Sequence, residues 1–171
     1  MEGAIRPWRR SDSADLAAAV NNRNVLDNLR DGLPYPYTGS DALQYIESVL
    51  SAPTDSVFAF AIALDGRAVG SIGITRCGNI HRRTAELGYY VAEPYWGLGL
   101  ATRAVRELCE HVFANSDIIR IFAEPFARNA ASRRVLEKSG FRLEGILRAN
   151  AFKNGEVLDM CMYSLLRPEG I

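Results

Sequence analysis

The spacing of apolar and polar positions changes period several times along the chain, and each change marks an element. Ile5 to Trp8 reads as a first strand, after which Ser11 or Asp12 suits a helix cap ahead of the Ala-rich segment Ala14 to Val20. Asn22 to Asp31 predicts a shorter helical piece. Gly32-Leu33-Pro34-Tyr35-Pro36-Tyr37 ends it, because two prolines and a glycine break helical geometry, and helix resumes near Ser40 or Asp41 and runs to about Leu50. The period then shortens. Val57 to Leu64 and Ala68 to Thr75 are two strands separated by the hairpin signal Asp65-Gly66, and Thr84 to Val91 is a third. Leu100 to Phe113 returns to helical spacing, with Leu100, Ala104, Val105, Leu108, Cys109, Val112 and Phe113 on one face and Arg103, Arg106, Glu107 and Glu110 largely outside it. Ile118 to Ala123 is strand-like, and Ala130 to Ser139 is a helix stopped by Gly140. Phe141 to Phe152 and Glu156 to Leu166 are long strands joined around Lys153-Asn154-Gly155.

This order runs from helices to a strand meander, then one strand–helix–strand–helix unit and a closing hairpin. It predicts an α+β fold, with a mixed sheet rather than an all-parallel one. With 171 residues and no repeat or linker, one domain over residues 1–171 is expected. Twenty basic residues balance 20 acidic ones, so no general electrostatic pull toward nucleic acid or an anionic membrane is expected. Cys77, Cys109 and Cys161 are odd in number and far apart, which fits a reduced, cytoplasmic setting rather than a disulfide framework. The first residues lack the apolar region of a signal peptide, and the apolar run Val57 to Leu64 is too short to cross a bilayer. Cys77 and His81 have no third or fourth ligand beside them, so no metal is expected; Cys–His nucleophilic catalysis is equally unsupported.

The most informative stretch is Glu93-Pro94-Tyr95-Trp96-Gly97-Leu98-Gly99-Leu100-Ala101, which follows a strand and opens an amphipathic helix. Glycines there let a ligand approach the backbone, and unpaired N–H groups at the positive end of the helix dipole form a natural pyrophosphate site. Arg103 and Arg106 are placed to add charge. No Lys-Ser or Lys-Thr follows, so this is not a Walker loop. A dinucleotide fingerprint would need a third glycine where Thr102 stands. A helix entry whose glycines serve only tight packing remains the alternative.

Tyr95-Trp96-Gly97-Leu98-Gly99-Leu100-Ala101, preceded by Ala85 to Val91 and followed by Asn129 to Phe141, resembles the coenzyme A site of the GNAT N-acetyltransferase superfamily. Asn28 to Pro34, Tyr37-Thr38 and Phe152 to Glu156 are similar to its RimJ/RimL-like branch, which acetylates ribosomal-protein N-termini. The resemblance implies a GNAT fold: a splayed, mixed seven-stranded sheet flanked by about four helices. It implies acetyl-CoA as cosubstrate, with the pantetheine arm added like a strand beside Tyr89, Tyr90 and Val91. The pyrophosphate would lie on Trp96, Gly97, Leu98, Gly99, Leu100, Ala101 and Thr102. Asn129 would bond pantetheine, and Ser132 would stabilise the departing thiolate. By position alone, Asn129 is also a favourable helix cap, with Ser132 on the first turn. Members often carry Gln or Arg where this chain has Pro94, a tyrosine acid where it has Leu136, and in this branch an acidic residue where it has Ala151.

Direct attack needs a neutral amine. At pH 7 deprotonation costs about 1.4 kcal/mol for an α-amino group and about 4.6 kcal/mol for lysine, so a site without a strong base suits an N-terminal α-amine. Glu86 is the candidate base, sharing a strand face with Gly88 and Tyr90; an ordinary ion pair is its alternative role. Tyr90 would orient the amine or simply pack, and Arg30, Asp31, Tyr35 and Tyr37 would rim the acceptor pocket or serve as turn and packing residues. The expected reaction is acetyl transfer to a protein or peptide N-terminus. A small-molecule amine acetyltransferase and a noncatalytic acyl-CoA sensor are the alternatives. A homodimer is compatible with the sequence but not specified by it.

Overall fold

A computed structural model describes residues 4–168. Seven strands form one sheet in the order β1-β2-β3-β4-β5-β7-β6: β1 (Ile5–Arg6), β2 (Val57–Leu64), β3 (Arg67–Arg76), β4 (Thr84–Val91), β5 (Arg120–Ala123), β6 (Arg142–Lys153) and β7 (Glu156–Leu166). Every neighbouring pair is antiparallel except β4 and β5, which run parallel. This is the expected mixed α+β sheet. The described residues hold five α-helices where about four were expected: α1 (Ser13–Val20), α2 (Arg23–Leu26), α3 (Gly39–Leu50), α4 (Leu100–Asn115) and α5 (Ala130–Lys138).

The extra helix is the one-turn α2. The Asn22 side chain caps it by accepting from the Asn24 N–H at 2.8 Å, and turn-favouring Asp27 and Asn28 end it well short of Asp31. The first strand is also shorter than expected, although Trp8 beyond it is buried. Asp12 stands at the α1 cap position but makes no cap hydrogen bond. Its carboxylate instead takes two bonds from Arg6, at 2.8 and 2.9 Å, and one from the Arg9 N–H at 2.8 Å. Burial disfavours its charge, but these donors prevail and hold the Asp12 carboxyl below its ordinary value.

Each face of the sheet carries its own core. On one, the fully buried Ala104, Val105, Leu108 and Val112 of α4 join Leu136 of α5 over Ile72, Ile74, Ala85 and Ile121. Each large apolar side chain so buried contributes about 1.5–3 kcal/mol. On the other, Leu16 and Val20 of α1 meet Ala42 and Ile46 of α3, with Trp8 and Tyr37. Both hairpin turns predicted from sequence form with positive φ at both central residues, Asp65 and Gly66 (49° and 80°) and Asn154 and Gly155 (52° and 81°). That is the conformation which matches strand twist.

Candidate active site

β4 and β5 pair only where Thr84–Glu86 face Arg120–Phe122. Beyond that point β4 stays bonded to β3 as far as Val91, whereas the chain after β5 bends toward β7. There Phe126 bridges Met160, and the Cys161 N–H donates to the Pro125 carbonyl at 2.9 Å. The sheet therefore splays. Arg83 accepts from Ile119, while Ala92 donates to Val69, so odd-numbered residues of β4 turn their backbone groups toward the gap. Tyr89 and Val91 thus present edge groups with no strand opposite. One of these, the Val91 carbonyl, takes the Trp96 indole N–H at 2.6 Å, which fastens the following turn.

That turn opens the gap onto the start of α4. Pro94 sits in a short 3-10 turn, Glu93–Tyr95, where its missing N–H does no harm. Glu93 is a positioning residue that sequence reasoning missed: its carboxylate accepts from the Asn22 and Asn24 amides, at 2.5 and 2.8 Å, tying α2 to the loop. Gly97 and Gly99 are left-handed, with φ of 77° and 74°, and a Cβ at either would meet nothing within 4 Å. The open space in front of them leaves room for a ligand against the backbone. The Arg103 N–H makes the first helical bond, to the Gly99 carbonyl at 3.1 Å, and no side chain caps the helix. The N–H groups of Leu100, Ala101 and Thr102 precede that bond and point out of the helix end. Arg103 is exposed on this first turn, but Arg106 is drawn away to the Lys138 carbonyl at the end of α5.

Across the gap, Asn129 caps α5, its Oδ1 accepting from the Ser132 N–H at 3.1 Å. The Ser132 hydroxyl lies 2.8 Å from the Tyr89 phenol, a contact that sequence reasoning did not foresee. On the opposite face, Arg30 joins Glu86 of β4 to Glu124 just after β5, reaching Glu124 at 3.2 Å. Glu86 is therefore ion-paired, and Glu124 joins it as an unforeseen second carboxylate. Asp31 accepts from the buried Lys153 ammonium at 2.9 Å. Arg30, Asp31, Glu124, Ala151, Phe152 and Lys153 line a cleft of about 280 Å³.

The other rim residues fall elsewhere. Tyr37 is buried in the second core, where its backbone N–H donates to Asn21 Oδ1 at 2.7 Å and burial raises its phenol pKa. Tyr35 is exposed beneath the Arg23 guanidinium, 4.5 Å from its ring centre. Tyr90 packs against the second core, and desolvation raises its pKa well above the ordinary value. Among the described residues no cluster of three or more His, Cys, Asp or Glu could hold a metal, and no helix is long and apolar enough to cross a membrane.

A family model described as an acetyltransferase (GNAT) domain matches residues 4–142. The chain belongs to the GNAT acetyltransferase family. The uncharacterized N-acetyltransferase YoaA of Bacillus subtilis (strain 168) is 36% identical over 58% of this chain and 56% of its own length. This chain thus spans little over half of that relative. Spermidine N(1)-acetyltransferase of Escherichia coli (strain K12) is 28% identical over 93% of this chain and 84% of its own. Mycobacterium smegmatis RimJ, solved in complex with CoA-disulfide, is similar with a TM-score of 0.84 and 26% identity, covering 95% of this chain and 80% of that one. The departures from the GNAT pattern now have places: Pro94 is the middle residue of the 3-10 turn, Leu136 is fully buried in the first core, and Ala151 lines the cleft.

Proposed function

We propose that this GNAT chain transfers an acetyl group from acetyl-coenzyme A to a primary amine by direct attack, with the N-terminal α-amine of a protein or peptide as preferred acceptor. The observation that carries this reading is the β4–β5 splay, which ends at the uncapped, glycine-opened start of α4. Gly97 to Thr102 would receive the pyrophosphate through backbone N–H groups and the helix dipole. The Tyr89 and Val91 edge would bond the pantetheine arm, and Asn129, whose Oδ1 is engaged in capping, would donate through its amide NH2. The CoA-disulfide complex of the similar RimJ supports acetyl-CoA as cosubstrate.

Attack forms a C–N bond and breaks the C–S bond, whose electron pair goes to sulfur. Ser132 would donate a hydrogen bond to that sulfur, and the Glu86 carboxylate would take the proton that the amine nitrogen gives up, passing it to water. Most of the acceleration would come from holding amine and thioester together and from fixed donors in the gap. An α-amine is mostly a cation at pH 7 but loses that first proton to water for about 1.4 kcal/mol, which leaves Glu86 only the second proton, released on attack, to accept. A second reading, a small polycationic amine, is favoured by Glu86 and Glu124 standing within reach of one cation and by the similarity to spermidine acetyltransferase.

The experiment is thiol release from acetyl-CoA with peptides, polyamines and aminoglycosides as acceptors, the acetylated atom located by mass spectrometry. Amine-dependent release with α-acetylated peptide is expected. Tight acetyl-CoA binding with no turnover on any amine would overturn the enzyme reading in favour of a sensor. Turnover confined to polyamines would overturn the N-terminal acceptor alone.

A further inference from the structure

Ser132 stands on the first turn of α5 with its Oγ 2.8 Å from the Tyr89 phenol oxygen, and that phenol is also 3.1 Å from the Ser132 carbonyl. Tyr89 alternates with the buried Ala85, Leu87 and Val91 on the face of β4 that carries α4 and α5. Desolvation pushes its phenol up to about 12, so it keeps its proton throughout the neutral range. The phenol thus has one proton and two acceptors in reach. When its O–H points to the Ser132 carbonyl, the serine hydroxyl is left to donate back to the phenol, and its proton is consumed within the protein. When the phenol turns to Oγ, the serine proton is released toward the gap. The helix position that would carry a tyrosine by family pattern holds Leu136, a fully buried apolar side chain.

We propose that the Tyr89 phenol is the positioning residue that frees the Ser132 hydroxyl and aims it at the departing sulfur, so that the phenol serving this site comes from β4 rather than from α5. The inference rests on the acetyl transfer proposed above. No proton is lost in this step. The phenol turns from the Ser132 carbonyl to Oγ, the serine turns from the phenol to sulfur, and both donors return once the thiolate has left and taken a proton from water. The proton given up by the amine still leaves through Glu86.

The test compares Ser132→Ala, Tyr89→Phe and their double variant in the full chain, together with enzyme carrying a fluorinated tyrosine at position 89. We expect Ser132→Ala to lower kcat on the order of 100-fold and Tyr89→Phe about tenfold. The double variant should be no slower than Ser132→Ala, because Tyr89 acts through the serine. Acetyl-CoA affinity by calorimetry should hold within about twofold, since hydrogen bonding to a developing thiolate acts in the transition state. The fluorinated phenol is more acidic, so that enzyme should gain an alkaline fall in kcat which Ser132→Ala abolishes. A mere brace between β4 and α5 would lower thermal stability without producing that fall. Wild-type kcat in Tyr89→Phe beside a slowed Ser132→Ala overturns this inference alone, and so does a fluorinated enzyme with no alkaline fall. Wild-type kcat in Ser132→Ala overturns the serine role on which it depends. Should Tyr89→Phe fail to fold, the fluorinated enzyme, which keeps the native shape, decides.

Discussion

The β4–β5 gap is bridged by side chains on both faces, and the two bridges differ in kind. On the α4–α5 face, Tyr89 meets Ser132 in a neutral, half-buried contact. On the α1–α3 face, Arg30 spans Glu86 and Glu124 with 61% of its side chain exposed. Where the strands forgo backbone pairing, side chains supply the cross-links. An exposed ion pair is worth only about 0–1 kcal/mol and weakens in salt, so on the proposed function Arg30 would yield its place to an incoming ammonium at little cost. The neutral bond offers no net charge for salt to screen. One face carries an exposed ionic bridge, the other a neutral hydrogen bond.

The largest expected effect removes what both faces serve. Gly99→Glu puts a carboxylate at the positive helix end and a side chain at φ 74°, and should weaken acetyl-CoA binding at least 100-fold by calorimetry; unchanged affinity would remove the phosphate-loop assignment. Next, Glu86→Gln should lower kcat/KM for the amine about 10- to 100-fold while sparing acetyl-CoA affinity, and a normal rate would return Glu86 to a purely structural ion pair. The neutral face has a pH signature. A phenol raised from 10.0 to about 12 in the folded state contributes stability that is complete below pH 10 and is lost as pH rises toward 12. Denaturant titrations across that window should therefore show Tyr89→Phe losing less stability than wild type, by of order 2 kcal/mol. The smallest effect sharpens the ionic face. Arg30→Ala should lower the KM for a cationic amine about two- to threefold at low ionic strength, and the difference should vanish in about 1 M salt. A salt-independent change would mean that Arg30 acts by shape rather than charge.

Much of this architecture was readable along the chain. The Asp65-Gly66 and Asn154-Gly155 turns announce themselves because few dipeptides accept two positive φ values in succession. The helical face of α4 follows from spacing, and the turn ahead of it from two glycines that accept positive φ. Alternation placed Glu86 and Tyr90 on one face of β4, as found. The cross-links escaped notice for a common reason. Ser132 lies 43 residues from Tyr89, and Glu124 lies 94 residues from Arg30, so no local period relates them. Of the two roles open to Tyr37, rim or packing, a proline-rich loop could not decide; Asn21 draws its backbone down and the ring fills the second core.

The sequence by itself determined the elements, the sharp turns and the left-handed glycines of the Gly97–Gly99 loop, because these depend on backbone freedom and on apolar spacing within a few residues. Only the tertiary structure decided where β4 and β5 part, which carboxylates share Arg30 and which phenol reaches Ser132. Those outcomes depend on strand order and on side chains brought together from distant segments, and packing, not local preference, sets their distances.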